Sequence, residues 1–142
     1  MPQQPETLDM NPATDAVTRA LQWLEEIAER EGWSPKITFG LTLSVDEALT
    51  NILSYAFAQA KPEHVPAVRL SYSRDSVGIV IEIADNGVPY DPTTTAPPDL
   101  AASLDEADLG GHGVRLMRHY LDDLRYERRG PWNHLRLAVH SA

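Results

Sequence analysis

Residues 67–87 read AVRLSYSRDSVGIVIEIADNG. Ala67–Ser73 alternates apolar and polar side chains, and Val77, Ile79, Ile81 and Ile83 recur at every second position of Val77–Ala84. That is the period of a strand with one buried face. The polar triplet Arg74, Asp75, Ser76 between the two runs is turn chemistry, so together they predict a β-hairpin. Asp85 stays in phase with the isoleucines if the strand continues, which sets a carboxylate at the end of an apolar face.

Working outward, the chain before this hairpin is helical in period. Ala16, Val17, Ala20, Leu21, Leu24, Ile27 and Ala28 are spaced for a first helix over Pro12–Arg30, with Asn11 as its cap and Gly32 as its stop. Ser34 followed by Pro35 opens a second, longer helix to about Ala58. Its stripe of Leu41, Val45, Ala48, Leu49, Ile52, Leu53 and Ala56 is broad enough to pack flat on a sheet. Glu47 and Asn51 lie off that stripe. Residues 1–11 read as a loose arm or a short edge strand at Thr7–Met10.

After the hairpin, Val88–Leu109 holds four prolines and a threonine triplet with little periodicity. A loop of that length in a compact domain is functional or disordered, and it reads as a lid. Val114–Leu121 then looks like a short helix begun by Gly113. Leu124–Glu127 and His134–Val139 form a terminal hairpin turning near Gly130 and Pro131.

The 142 residues suit a single domain, here 12–142 after the N-terminal arm, with a core large enough to need no crosslink. The chain has no cysteine, which excludes disulfides, thiolate metal sites and cysteine nucleophiles and fits a reducing, cytoplasmic setting. No apolar run approaches the ~20 residues that span a bilayer. A net charge of −9 argues against nonspecific attraction to nucleic acid or acidic lipid. Small-molecule and protein partners are favoured instead, although Arg115, Arg118, Arg125, Arg128 and Arg129 concentrate positive charge in the last third.

Three groups of residues carry chemistry. Glu47 and Asn51, four apart, stand one above the other on the long helix. A carboxylate there can take a proton from an attacking hydroxyl, and an amide oxygen one turn on can ligate magnesium. The same pair also decorates many solvated helices. Asp85, Asn86 and Gly87 are ordinary strand-exit residues. An ionised Asp85 can nonetheless accept a hydrogen bond from the exocyclic amine of adenine, with Gly87 letting the backbone approach the ring. Gly110, Gly111, His112 and Gly113 precede a helix, so their amides can face an anion with the helix dipole behind them. The lysine and hydroxyl residue of a P-loop are missing, and a plain glycine-rich connector reads the same way.

These signals occur in one order, each on the element its chemistry needs. In VDEALTNILSYAF, IEIADNGVPYDP and LGGHGVRLMRHYLDDLRYERRGPWNHLRL the sequence resembles the ATP-binding domain shared by histidine kinases, gyrase, the ninety-kilodalton heat-shock chaperone and mismatch-repair ATPases. Within that superfamily it resembles the small anti-sigma factor serine/threonine kinases of bacterial partner switching. The resemblance covers roughly Ser34–Val139. It implies an α+β fold, a two-layer α/β sandwich with a mixed, mostly antiparallel sheet and helices on one face (a Bergerat-type ATP-binding fold). It implies Glu47 as general base, Asn51 as magnesium ligand, Asp85 with Gly87 at adenine, Gly111 and Gly113 at phosphate, and a lid at about 88–112. The cofactors implied are ATP and Mg2+. The partners implied are an anti-sigma antagonist protein as phosphoacceptor, a sigma factor, and a second copy in a homodimer, which no exposed apolar stripe requires. Tyr90 replaces a frequent phenylalanine and keeps an aromatic wall. His112 takes no role, Arg115 and Arg118 read as a solvated face, and His119, His134, His140, Trp23, Trp33 and Trp132 as structural. A nucleotide-dependent module that sequesters a transcription factor without phosphotransfer would present the same pocket.

Overall fold

The structure, a computed structural model, describes residues 5–57, 65–94 and 114–140. The elements run β1 (Glu6–Met10), α1 (Ala16–Glu31), α2 (Pro35–Asn51), a π-helical turn (Ile52–Ala56), β2 (Val68–Arg74), β3 (Gly78–Asp85), a short 3-10 turn (Pro92–Thr94), β4 (Asp123–Arg129) and β5 (Trp132–His140). A further helix, α3, spans 114–120. The strands form one sheet in the order β1-β2-β3-β5-β4. Every pairing among these strands is antiparallel, and β1 takes the edge beside β2.

The expected hairpin is present. Its turn is held by Asp75, whose Oδ1 accepts from Val77 N–H at 2.8 Å and Gly78 N–H at 2.9 Å. Val77 therefore belongs to the turn rather than to the buried face of β3, and it is 57% exposed. Ile79, Ile81 and Ile83 do share the inner face, beside Leu70 and Tyr72 of β2 and Leu135 and Leu137 of β5, and α1 and α2 cover them. The opposite face carries Arg69, Ser71, Glu82, His134 and Arg136, so this two-layer α+β sandwich has its core on one side only.

The helices follow the sequence with two differences. Helix α1 begins at Ala16, not Pro12, because 11–15 forms a turn in which the Ala16 N–H donates to the Ala13 carbonyl at 3.0 Å. Asn11 caps nothing. At the other end Gly32 adopts φ 67°, the left-handed stop that lets its N–H reach the Ala28 carbonyl. Ser34 caps α2 through the Ile37 N–H at 3.2 Å, with Pro35 in the first turn. Regular α-helix ends at Asn51, and the next five residues widen into a π turn. The terminal hairpin turns at Gly130, φ 57°.

Helix α3 is fastened to α2 at one tight point. A Cβ on Gly40 would lie 2.8 Å from the Tyr120 Cβ, and the Tyr120 ring packs edge-on against Phe39 with centroids 5.4 Å apart. Met117 is fully buried beneath. An alanine at 40 gains about 1 kcal/mol of helix propensity, but forcing a methyl into a packed contact costs about 1–3 kcal/mol. Gly40→Ala is therefore expected to lower the melting temperature by a few degrees in thermal unfolding followed by circular dichroism. A raised melting temperature would show that the contact does not hold α3.

Candidate functional site

Helix α2 and strand β3 converge at their C-terminal ends. The Val88 N–H donates to the Ala56 carbonyl at 2.9 Å. Gly87 lies so close that a Cβ there would sit 2.4 Å from the same oxygen. Beside this joint the Tyr55 and Tyr90 rings stack at 5.4 Å, tilted by 33°. The end of the helix that carries Asn51 is thereby fixed to the strand exit that carries Asp85.

Asp85 is buried, with 1% of its surface exposed. Its Oδ1 accepts from the Gly87 N–H and from Asn133 Nδ2, each at 2.9 Å. Burial pushes its carboxyl above the ordinary value of 3.8, while the hydrogen bonds from Asn133 and Gly87 and the nearby Arg128 guanidinium act in the opposite sense. No described residue donates to Oδ2, so one oxygen is held and the other is available. Asn86 points the other way. Its side-chain oxygen accepts from Ala67 N–H at 2.8 Å and its amide donates to the Val65 carbonyl at 2.9 Å, tying the turn to the start of β2. The Gly87 carbonyl accepts from Arg128 Nη1 at 2.8 Å.

Glu47 and Asn51 stand half-buried, one turn apart, beside the buried stripe of α2. Burial, and then the neighbouring Asp46 charge, push the Glu47 carboxyl above its ordinary 4.5. No hydrogen bond from a described residue occupies the Glu47 or Asn51 side chain. A free amide oxygen of this kind suits a magnesium ion that keeps most of its oxygen ligands from water and phosphate.

A half-buried carboxylate and amide on α2, a buried aspartate at the end of β3 and a glycine against the helix backbone thus stand on elements joined at one place. Residues 10–139 match the model of the histidine kinase-like ATPase domain. The chain belongs to that family. It is 48% identical over 142 residues to the serine/threonine-protein kinase BtrW of Bordetella bronchiseptica, covering all of this chain and 98% of that protein. It is also 27% identical to the serine-protein kinase RsbW of Listeria monocytogenes over 123 residues, 84% of this chain and 76% of the relative. RsbW of Listeria innocua is similar at 26% over the same length. Membership in the family makes ATP the nucleotide in question, and the relatives bearing names are protein kinases.

Other expected residues fall outside this cluster. Gly110–Gly113, and with them the phosphate cradle at Gly111 and Gly113 and the His112 position, lie outside the described residues, as does the stretch read as a lid from 95 onward. Arg115 and Arg118 are exposed on α3, and Arg118 reaches the Thr93 carbonyl at 3.4 Å. His134 bonds Glu82 at 2.8 Å on the uncovered face of the sheet. There, a concavity of about 730 Å³ lies between Met10, Arg69, Glu82, Ala84 and Trp132, away from Glu47, Asn51 and Asp85. Among the described residues no helix is long and apolar enough to cross a membrane.

Sequence reading missed Asn133. It is 3% exposed and sits directly across from Asp85 in the β3–β5 register. The signal was present, since Asn133 is in phase with Leu135, Leu137 and Val139, and a polar residue at an inward position needs a partner.

Because the Asp85 carboxyl is raised in the folded state, the folded protein holds a proton there more readily than the unfolded chain. The charge opposes folding above the folded value and ceases to do so below the unfolded value near 3.8. Asp85→Asn keeps the oxygen that Gly87 and Asn133 hold. It is expected to melt a few degrees above the parent at pH 7, with the gap closing as pH falls toward 3.8. Calorimetric melting across that range checks it, and a gap that widened on acidification would contradict the assignment.

Proposed function

We propose that this chain is an ATP-dependent protein serine/threonine kinase that phosphorylates a hydroxyl of a small antagonist protein in a partner-switching system, with a sigma factor as its alternate partner. The observation that carries the transfer reaction is Glu47: a half-buried carboxylate with raised proton affinity, one helical turn from an unoccupied amide, on the helix joined to the Asp85 turn. A sequence 48% identical to a serine/threonine-protein kinase from end to end supports the same reading.

Asp85 Oδ2 accepts from the adenine amine and Gly87 lets the backbone lie against the ring. Asn51 would hold magnesium through its amide oxygen, and Gly111 and Gly113 are the residues assigned to phosphate. Magnesium, when bound, supplies neutralising charge to the phosphate oxygens. Glu47 takes the proton from the acceptor hydroxyl as its oxygen attacks the terminal phosphorus of ATP and the bond to the bridging oxygen breaks to release ADP, a role served best by a carboxylate of raised proton affinity. The remaining contribution of the protein is positioning and electrostatic stabilisation. The chain without cysteines suits a reducing cytoplasm.

Incubation with labelled ATP, magnesium and the cognate antagonist is expected to label a serine or threonine of the antagonist. Glu47→Gln should lower turnover by about 10²–10⁴-fold and leave ATP affinity unchanged. In the parent, turnover should fall on acidification with an apparent pKa above 4.5, and that limb should vanish in the variant. ATP and antagonist binding with no label transferred in the parent would instead establish a sequestering module. Transfer at the parental rate by Glu47→Gln would remove Glu47 from the role of base.

A further inference from the structure

Asn133 uses all the hydrogen-bonding capacity of its amide inside the fold. Nδ2 donates to Asp85 Oδ1 at 2.9 Å and to the Val88 carbonyl at 2.9 Å. Oδ1 accepts from the Tyr90 N–H at 3.3 Å and from the Tyr126 hydroxyl. The amide can be placed only one way round, because a flip would face its oxygen against a carboxylate and a carbonyl while leaving two donors unmet. An amide has two donor hydrogens and two lone pairs, and here each has a partner.

We infer that Asn133 is the positioning residue for adenine recognition: it fixes Asp85 so that Oδ2 faces the base, and holds Val88–Tyr90 at the same spacing from that oxygen. This rests on the assignment of Asp85 to the adenine amine. Two donors, Asn133 and the Gly87 N–H, occupy Oδ1 and prevent the carboxyl from rotating about its bond to Cβ. The segment that follows Gly87 is fixed by the same side chain, through one carbonyl and one N–H. The Tyr90 ring stacked on Tyr55 is therefore held in register with the hydrogen bond that selects the base. A glutamine reaches too far to make these contacts from the same backbone position, and an aspartate would set acceptor against acceptor.

The test compares ATP with purine riboside triphosphate, which lacks the 6-amine, by calorimetric binding to the full chain with magnesium. The parent is expected to prefer ATP by about tenfold, the worth of one hydrogen bond to a charged group. Asn133→Asp should reduce that preference to about twofold or less by weakening ATP far more than the amine-free analogue. Asn133→Ser, a milder change that serves if the aspartate variant does not fold, should lose part of the preference. A purely structural role would weaken both nucleotides equally, so an unchanged ratio in a folded variant overturns the inference. Asp85→Asn separates the two levels. If it abolishes the preference while both Asn133 variants keep it, only the role of Asn133 fails. If the parent has no preference and Asp85→Asn binds ATP normally, the assignment of Asp85 fails and takes this inference with it.

Discussion

The hydrogen bond from Val88 N–H to the Ala56 carbonyl, over a glycine with no room for a side chain, is the constraint on which the site depends. Apolar packing of α2 on the sheet is non-directional and would tolerate sliding along the helix axis. A helix end, by contrast, leaves carbonyls without partners, and each seeks a donor at a defined place. The strand exit supplies that donor. One bond thus fixes the height of α2 against β3, and with it the positions of Glu47 and Asn51 relative to Asp85. The π turn at Ile52–Ala56 lies between Asn51 and this joint.

The two carboxylates proposed for the site show how one physical cause can serve opposite needs. Burial raises the proton affinity of both Glu47 and Asp85. For Glu47 nothing described donates a hydrogen bond, so the shift stands, and a carboxylate inclined to take a proton is what a base requires. Asp85 must remain an acceptor although it is far more buried. The Gly87 N–H and the Asn133 amide both donate to Oδ1 and oppose the shift. Those bonds hold charge where the core would expel it, at a cost in stability accepted for recognition.

Much of this frame is legible in the sequence because it is written in local terms. Alternation marks Ile79, Ile81 and Ile83, Ser34 and Pro35 mark the start of α2, Gly32 marks the end of α1, and the turn at Gly130 separates β4 from β5. Local signals also mislead where two compete. Asn11 before Pro12 imitates a helix cap, yet Ala13–Asp15 forms a turn first, and Val77 continues the isoleucine period but is drawn out by the Asp75 turn. The π turn has no sequence period of its own. Asn133 could be read as an inward polar residue but its partner could not, because that is set by its register opposite Asp85, 48 positions earlier. Pairing of strands distant in sequence is decided by the whole sheet rather than by neighbouring residues.

On the proposed assignment, recognition of the base and transfer of phosphate fall to different residues of the site. Asp85 and Asn133 are buried in the joint between layers, and Gly87 touches the helix backbone, so changes there act on fold and nucleotide recognition together. Glu47 stands off the fully buried stripe and holds no hydrogen bond with a described residue. A protein on this frame can therefore gain or lose phosphotransfer by altering one half-exposed side chain, while its ability to grip ATP and its stability persist. A half-buried glutamate with raised proton affinity at that place is the physical argument for the proposed transfer reaction.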